Sequence, residues 1–231
     1  MPFWNRAQSQ PVDTEGINQF LAALPGSAVG TRDRRWTEKD TRALLGGDDA
    51  TFTAFMDQHA GDSFLGGALR FLPLRGHPGL PDWNDKAGWH ADWPSLPKAV
   101  VFASDWRGNL WLLDAGRYPN GERSVAVLEI ASADYAVIDL PFRGFLRMLV
   151  SSARTLLDLE TLEAWNAAGG DTPASDHCLG HRIALVLGGA DTIENLEMLF
   201  LNVWVSLSGQ IFEQTKNLPP GTKITGFELV E

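Results

Sequence analysis

The sequence predicts an α+β fold with a mostly antiparallel central sheet flanked by helices. Two observations predict it. Apolar segments separated by hairpin-type turns cluster in the middle of the 231-residue chain, and segments with helical apolar periodicity lie before and after them. Strands joined by short turns pair with antiparallel neighbours, and amphipathic helices then cover the sheet.

Three amphipathic helices are predicted in the N-terminal portion, residues 1–61, after a loose arm rich in Pro, Gln and Asn. The first is capped by Thr14 and stops at Pro25-Gly26, the second runs from Thr37 to near Gly46, and the third follows Asp48 or Asp49 and ends near Gly61.

The central segments predict strands and turns. "ALRFLPL" (68–74) indicates a short strand, and the Trp- and Pro-rich residues 78–97 indicate one helix that carries Trp83, Trp89 and Trp93. A hairpin turns through Arg107-Gly108-Asn109 and a further turn lies at Pro119-Asn120-Gly121, because Gly and Asn tolerate positive φ.

The C-terminal third is predicted to be mostly helical. Pro141 opens one helix, and a second carries Leu156, Leu159, Leu162 and Trp165. A strand bends at Gly188-Gly189, a helix with a stripe of Phe200, Trp204, Leu207 and Ile211 follows, and "TKITGFELV" (222–230) indicates a last strand. With no repeat or linker, we expect one domain, in which the N-terminal helical portion precedes an α+β part at 62–231.

The formal net charge is −10, and residues 99–231 carry nine Lys and Arg against seventeen Asp and Glu. This sign disfavours direct binding to nucleic-acid phosphates. The charge either serves solubility or steers the chain towards a basic protein partner.

Cys178 is the only cysteine, so no intramolecular disulfide can form. The N-terminus lacks the apolar core of a signal peptide, and no apolar run reaches the ~18 residues of a membrane span. We therefore expect a cytoplasmic protein that makes no membrane contact.

The stretch "HRIALVLGGADTIENLEML" (181–199) raises the question of a phosphate-binding loop. No Lys-Ser/Thr follows the glycines and no Gly-x-Gly-x-x-Gly is present, and Asp191 and Glu194 would repel a phosphate. The alternative is a turn in which Gly188 and Gly189 bend the chain while Asp191 and Asn195 satisfy exposed amides. The sequence favours the turn.

His177, Cys178 and His181, with Asp176, are residue types that bind zinc, but His59, His77 and His90 are scattered upstream without paired spacing. A buried, inert thiol is the favoured interpretation of Cys178. The sequence contains no Gly-x-Ser-x-Gly elbow, no His-Glu-x-x-His helix and no EF-hand loop. We therefore expect no enzyme, no metal and no cofactor.

Asp105-Trp106-Arg107-Gly108 places an aromatic residue among charges at the predicted hairpin tip. This arrangement is typical of a binding hot spot. The alternative is a Trp that folds back over the sheet and closes the hairpin.

Several motifs occur in the order found in a bacterial immunity family: "GGALRFLPL" (66–74), "DWNDKAGW" (82–89), "VFASDWRGNLWLLD" (101–114) and "HCLGHRIALVLGGADTIENLEML" (177–199), followed by "VWVSLSGQIFEQTKNLPPGTKI". Over residues 62–225 the chain resembles the C-terminal domain of type VI secretion DNase-immunity proteins, which is related in fold to the SUKH superfamily. Leu-Gly-Gly followed by Asn-Leu-Glu, with Gln210 and Gln214, is the most specific part.

The resemblance implies a protein that binds a cognate toxin, blocks it and catalyses nothing. A nuclease toxin is favoured, because such a toxin presents basic surface. The expected toxin contacts are Asp105, Trp106, Arg107, Asp191 and Glu194. The resemblance implies framework roles for Gly108, Gly188, Gly189, Asn195, Leu196, Glu197, Trp204 and Gln210.

The sequence departs from the family pattern at Gly108-Asn109 and at His181, where an aromatic residue is expected, and the divergent N-terminus is a place where partner specificity could lie. Two alternatives stay open. One is a non-catalytic SUKH-like interaction or regulatory scaffold, and the other is a small metal-dependent hydrolase that uses His177, Cys178 and His181.

Overall fold

The computed structural model describes residues 11–28, 35–75, 78–118, 121–219, 221, 222, 224, 226 and 227. Seven strands form one antiparallel sheet in which the spatial order is the chain order, and two more form a separate antiparallel hairpin. The α+β architecture with a mostly antiparallel sheet is thereby confirmed. The strands are β1 (Gly26–Ala28), β2 (Asp62–Phe64), β3 (Leu69–Phe71), β4 (Val100–Asp105), β5 (Leu110–Arg117), β6 (Arg123–Glu129), β7 (Asp134–Pro141), β8 (His177–His181) and β9 (Leu196–Phe200).

Eight α-helices surround the sheet in the described part of the chain. None of them is long and apolar enough to cross a membrane. They are α1 (Thr14–Ala23), α2 (Glu38–Leu45), α3 (Ala50–His59), α4 (Leu80–Trp83), α5 (Trp89–Asp92), α6 (Phe142–Leu156), α7 (Leu159–Ala167) and α8 (Leu201–Thr215).

Short polar side chains cap the N-termini of the first three helices. Thr37 caps α2 as predicted, in a reciprocal capping box with Asp40, and Asp49 caps α3. The prediction of Thr14 as the first cap was wrong by one residue: the Oδ1 atom of Asp13 accepts the Gly16 N–H at 3.0 Å. Asp is as good a cap as Thr, and sequence alone does not rank two adjacent candidates.

The described part of the N-terminal portion packs into the same core as the rest of the chain. β1 pairs with β2, and α1 packs against α6. The Phe20 ring lies 4.8 Å from the Phe64 ring and 5.5 Å from the Phe55 ring, centroid to centroid. Residues from this portion therefore complete the aromatic core.

The Trp-rich segment forms two short helices, α4 and α5, where one was predicted. The chain turns sharply between them, since a Cβ at Gly88 would lie 2.3 Å from the Trp83 carbonyl oxygen. Asn84 holds the turn against β4, because its amide both accepts from Val101 N and donates to Val101 O at 2.8 Å. The long-range partner of Asn84 is not visible in the local pattern.

β7 has no counterpart among the predicted strands. It forms an edge of the sheet, and its residues are exposed or half-buried, so its sequence lacks the clean apolar alternation of a strand packed on a core. Val137 is 51% exposed.

The C-terminal region corrects two predictions. The strand expected to bend at Gly188-Gly189 ends earlier, at His181, and residues 185–187 form a 3-10 helix. Leu156 belongs to α6 and not to the next helix.

The stripe predicted on the last helix is partly confirmed. Trp204 and Ile211 are buried in α8, while Leu207 is half-buried and Phe200 is 54% exposed.

Several predicted features lie outside the described residues. They are the arm at residues 1–10, His77, Pro119, Asn120, and Lys223, Thr225 and Glu228 to Val230 of the predicted last strand, whose other residues are not in a strand.

Candidate functional site

The hairpin between β4 and β5 is organised by the carboxylate of Asp105. Its Oδ1 accepts the backbone N–H of Arg107 at 2.9 Å and of Asn109 at 3.1 Å, and its Oδ2 accepts the Asn109 side-chain amide at 3.0 Å. Burial raises the pKa of Asp105 to about 6 despite these hydrogen bonds. The turn through Arg107-Gly108-Asn109 is confirmed and fixed in one shape.

The hairpin tip docks on β8. The Leu179 N–H donates to the Trp106 carbonyl at 2.8 Å. Gly108 has φ +81°, and a Cβ there would lie 2.7 Å from Trp204 Cδ1 and 2.8 Å from Cys178 Sγ. Gly108 therefore permits both the turn and the close contact between the tip and β8.

Two of the expected toxin contacts are buried. Trp106 has no exposed surface and its indole N–H donates to the Leu157 carbonyl at 2.6 Å, while Asp105 is 2% exposed. The Trp folds back and closes the hairpin, which was the alternative to a surface anchor. In this conformation neither side chain can reach a partner, and together they position Arg107.

Arg107 bridges two separate elements across a cleft. Its Nη1 lies 3.1 Å from Asp158 Oδ2 at the start of α7, its Nη2 contacts Asp191 Oδ1 in the β8–β9 connection, and its Cζ lies 5.4 Å from the Trp106 ring centroid. The cleft has a volume of about 390 Å³. It is lined by Arg107, Asp158, Glu160, Thr161, Ala164, Asp191, Thr192, Ile193 and Leu196.

Asp191 also contacts a buried histidine. The Nε2 atom of His181 lies 3.0 Å from Asp191 Oδ1, and the His181 side chain is 1% exposed. Desolvation is the largest single influence and raises the pKa of Asp191, but the His181 hydrogen bond and the charge and hydrogen bond of Arg107 outweigh it and lower the pKa. Asp191 is therefore ionised at neutral pH.

The connection from β8 to β9 forms a compact turn, here called the 182–195 loop. Asn195 Oδ1 accepts the Ile183 N–H at 3.0 Å, and its Nδ2 donates to the carbonyls of Ile183 at 2.9 Å and Ala190 at 2.8 Å. A Cβ at Gly189 would lie 1.9 Å from the Ile183 oxygen, and Gly188 has φ +89°. The two glycines let the chain close on itself in a turn.

Glu194 lies in the same loop with an exposed side chain. Hydrogen bonds from its own backbone N–H and from the Thr192 side chain lower its pKa. Glu194 is thus a surface charge, as a partner contact requires.

The zinc-type residues do not converge. His177 Nδ1 contacts Asp176 at 2.7 Å, whereas His181 contacts Asp191. Cys178 is fully buried, and burial raises the pKa of its thiol to about 12. Within the described ranges, no three His, Cys, Asp or Glu side chains are placed to hold a metal ion.

The remaining framework residues have structural partners. Leu196 and Trp204 are buried beside the cleft and the hairpin tip, Glu197 Oε2 lies 3.7 Å from Arg182 Nε, and Gln210 Nε2 donates to Asp92 Oδ1 at 3.1 Å. The Gln214 side-chain amide donates to the Gln210 carbonyl at 3.2 Å.

Sequence reasoning missed the α7 wall of the cleft, which consists of Asp158, Glu160 and Thr161. Asp158 has φ +46°, and its Oδ1 accepts the Thr161 hydroxyl at 3.0 Å. The sequence feature that could have identified this wall is Asp158, an acidic residue immediately before a helical apolar stripe, because such a residue commonly marks the start of a helix. Its approach to Arg107 is a tertiary contact.

The residues of this cleft can be compared with known families. Residues 154–212 match the family described as T6SS immunity protein Tdi1, C-terminal. The Tdi1 match spans about a quarter of the chain and includes Asp158, His181, Asp191 and Asn195. No curated protein matches the chain in sequence.

A solved structure shares the fold. The crystal structure of Atu4351 from Agrobacterium tumefaciens superposes with a TM-score of 0.54 and 10% sequence identity, over 83% of this chain and 87% of that one. At this identity the similarity establishes the fold alone.

Proposed function

We propose that this protein is a type VI secretion immunity protein that binds a cognate toxin and blocks its active site or substrate surface without catalysing a reaction. The observation that carries the proposal is the Tdi1 match, which includes every lining residue of the cleft except Arg107: those at the start of α7, those in the 182–195 loop, and Leu196 at the start of β9.

Charge supports a basic partner. The cleft and the adjoining β8–β9 hairpin, with its 182–195 loop, carry five carboxylates and two arginines, which leaves an excess of three negative charges. The whole chain has a net charge of −10. Complementary charge speeds encounter with a basic protein, and a nuclease must present basic surface to its substrate. These charged residues are Asp158, Glu160, Asp191, Glu194, Glu197, Arg107 and Arg182.

The rigidity of the site also fits an inhibitor. Asp105, Asn195 and Gly108 fix the positions of the hairpin tip and the 182–195 loop through hydrogen bonds and close packing within the chain. A surface that is already ordered loses little conformational entropy on binding.

The proposal is tested by co-expression with the toxin encoded by the neighbouring gene. The protein is expected to restore growth, to co-purify with a catalytically inactive form of the toxin, and to suppress its nuclease activity in solution. If the protein neither binds nor silences that toxin, the proposal is wrong. A toxin of another activity that the protein silences would correct the nuclease assignment alone.

The cleft is tested by Glu160→Lys, which reverses an exposed charge in the first turn of α7. The variant is expected to slow association and to reduce its dependence on salt. Glu38→Lys reverses an equivalent exposed charge in the first turn of α2 and serves as the matched control. Equal association rates for the two variants would contradict a toxin contact at the cleft.

A further inference from the structure

The 182–195 loop exposes three large apolar side chains within five residues. Ile183 is 57% exposed, Val186 43% and Leu187 38%. An apolar run of this kind is normally buried, and its exposure on a folded protein is typical of an interaction surface.

These side chains do not sit on a loosely tethered loop. Besides the three hydrogen bonds of Asn195, the N–H groups of Leu187 and Gly189 both donate to the Ala184 carbonyl, at 2.9 and 3.2 Å. The turn therefore holds apolar groups outward at a fixed position, which reduces the entropy lost when a partner covers them.

The charges next to these side chains indicate which partner would cover them. Ionised Asp191 and Glu194 lie in the same loop. Arg107 pairs with Asp191 and Glu197 pairs with Arg182, so the charge of Glu194 remains in excess beside the apolar side chains. A second copy of this chain would bring another −10 against this surface, and an anionic membrane would be repelled in the same way. A basic protein with an apolar recess is the complementary occupant.

We propose that Ile183, Val186 and Leu187 are the apolar anchor by which this protein holds its toxin, next to the acidic cleft. This inference rests on the proposed immunity function and deepens it by assigning the central contact. Protein interfaces commonly have an apolar centre surrounded by a polar rim. Ile183, Val186 and Leu187 would form the centre, and the acidic residues of the neighbouring cleft would form part of the rim.

The test is the triple variant Ile183→Ser, Val186→Ser, Leu187→Ser, which removes apolar surface and leaves the charge unchanged. The control is Val150→Ser, which removes an apolar side chain that is 38% exposed on α6. Each purified full-length variant is titrated against the inactive neighbouring-gene toxin, with thermal unfolding measured in parallel. We expect the triple variant to bind about 30-fold more weakly or worse, and the control to bind as wild type.

Four outcomes decide the matter. Weaker binding by the triple variant, with its unfolding transition unchanged, supports the anchor. Wild-type affinity in the triple variant overturns the anchor and leaves the immunity function standing, whereas a wild-type protein that neither binds nor silences the toxin overturns both. A wild-type dimer in sedimentation that the triple variant abolishes assigns the patch to a second copy and also overturns the anchor.

Discussion

The side-chain amide of Asn195 forms a two-way hydrogen-bonded pair with the backbone of Ile183, with Oδ1 3.0 Å from its nitrogen and Nδ2 2.9 Å from its oxygen. The same amide reaches Ala190. The pairing of β8 with β9 ends at His181 and Leu196. Beyond that point, the side chain of Asn195 holds the two ends of the loop together.

Asn195→Ala is expected to destabilise the protein by about 1–3 kcal/mol, because it removes three hydrogen bonds that water replaces only in part. The Ile183 amide should also exchange faster with deuterium. Urea unfolding and hydrogen exchange measure both effects. Asn202→Ala, at an exposed position in α8, is the control and should change neither. An Asn195→Ala protein with wild-type exchange at Ile183 would contradict this role.

The two glycines of the loop should respond differently to substitution. A Cβ at Gly188 meets nothing within 4 Å, so Gly188→Ala suffers only from φ +89°, about 1–2 kcal/mol, and Gly188→Asn should recover part of that cost. A Cβ at Gly189 collides with the Ile183 oxygen, so Gly189→Ala should cost more and Gly189→Asn should not recover it. Urea denaturation of the four variants tests this ordering, and rescue of position 189 by Asn would refute the steric explanation.

Buried Asp49 should make stability depend on pH. Burial raises its pKa from 3.8 to about 6, so the folded state binds the proton more tightly than the unfolded state. The contribution of Asp49 to stability therefore falls as the pH rises from about 4 to about 6. Asn caps a helix as well as Asp does but carries no charge. The free energy of unfolding of Asp49→Asn, relative to that of wild type, should therefore rise by roughly 3 kcal/mol between about pH 4 and about pH 6.

Chemical denaturation at several pH values measures this difference. Asp48→Asn changes the neighbouring, half-exposed carboxylate that pairs with Arg42 and serves as the control. If the free-energy difference between wild type and Asp49→Asn does not vary with pH, Asp49 does not titrate as described.

Cys178 should resist alkylation while the protein is folded, because its thiol is buried and its raised pKa keeps it protonated. Iodoacetamide at about pH 8 should label the thiol only after unfolding in guanidinium chloride. A Ser151→Cys variant, with its new thiol at an exposed position of α6, should be labelled once in the folded state. Rapid labelling of folded wild type, detected by mass spectrometry, would instead indicate a reactive cysteine.

Local sequence signals predicted a large part of the fold and less of the site. The Thr37 cap, the turn at Gly108 and the helix after Pro141 depend on near neighbours, and all three were found. β7 was missed because an edge strand buries too little to show an apolar alternation.

For the site, Arg107, Asp191 and Glu194 were predicted as toxin contacts, and that role stays a prediction. Arg107 and Asp191 line the cleft, and Glu194 lies in the same loop as Asp191. Asp158 was missed, because 51 residues separate it from Arg107. The burial of Trp106 depends equally on a distant partner, the Leu157 carbonyl. Exposure of Ile183 was also unexpected, because an apolar run ordinarily indicates a buried strand.

Phe20 packs among the rings of Phe55, Phe64 and Phe71, so the first helix of the described chain is a wall of the core. A shortened gene product starting at residue 62 would lack this wall, together with β1 and α3. Such a truncation should leave cells with a proteolysis-prone fragment in place of a smaller folded protein.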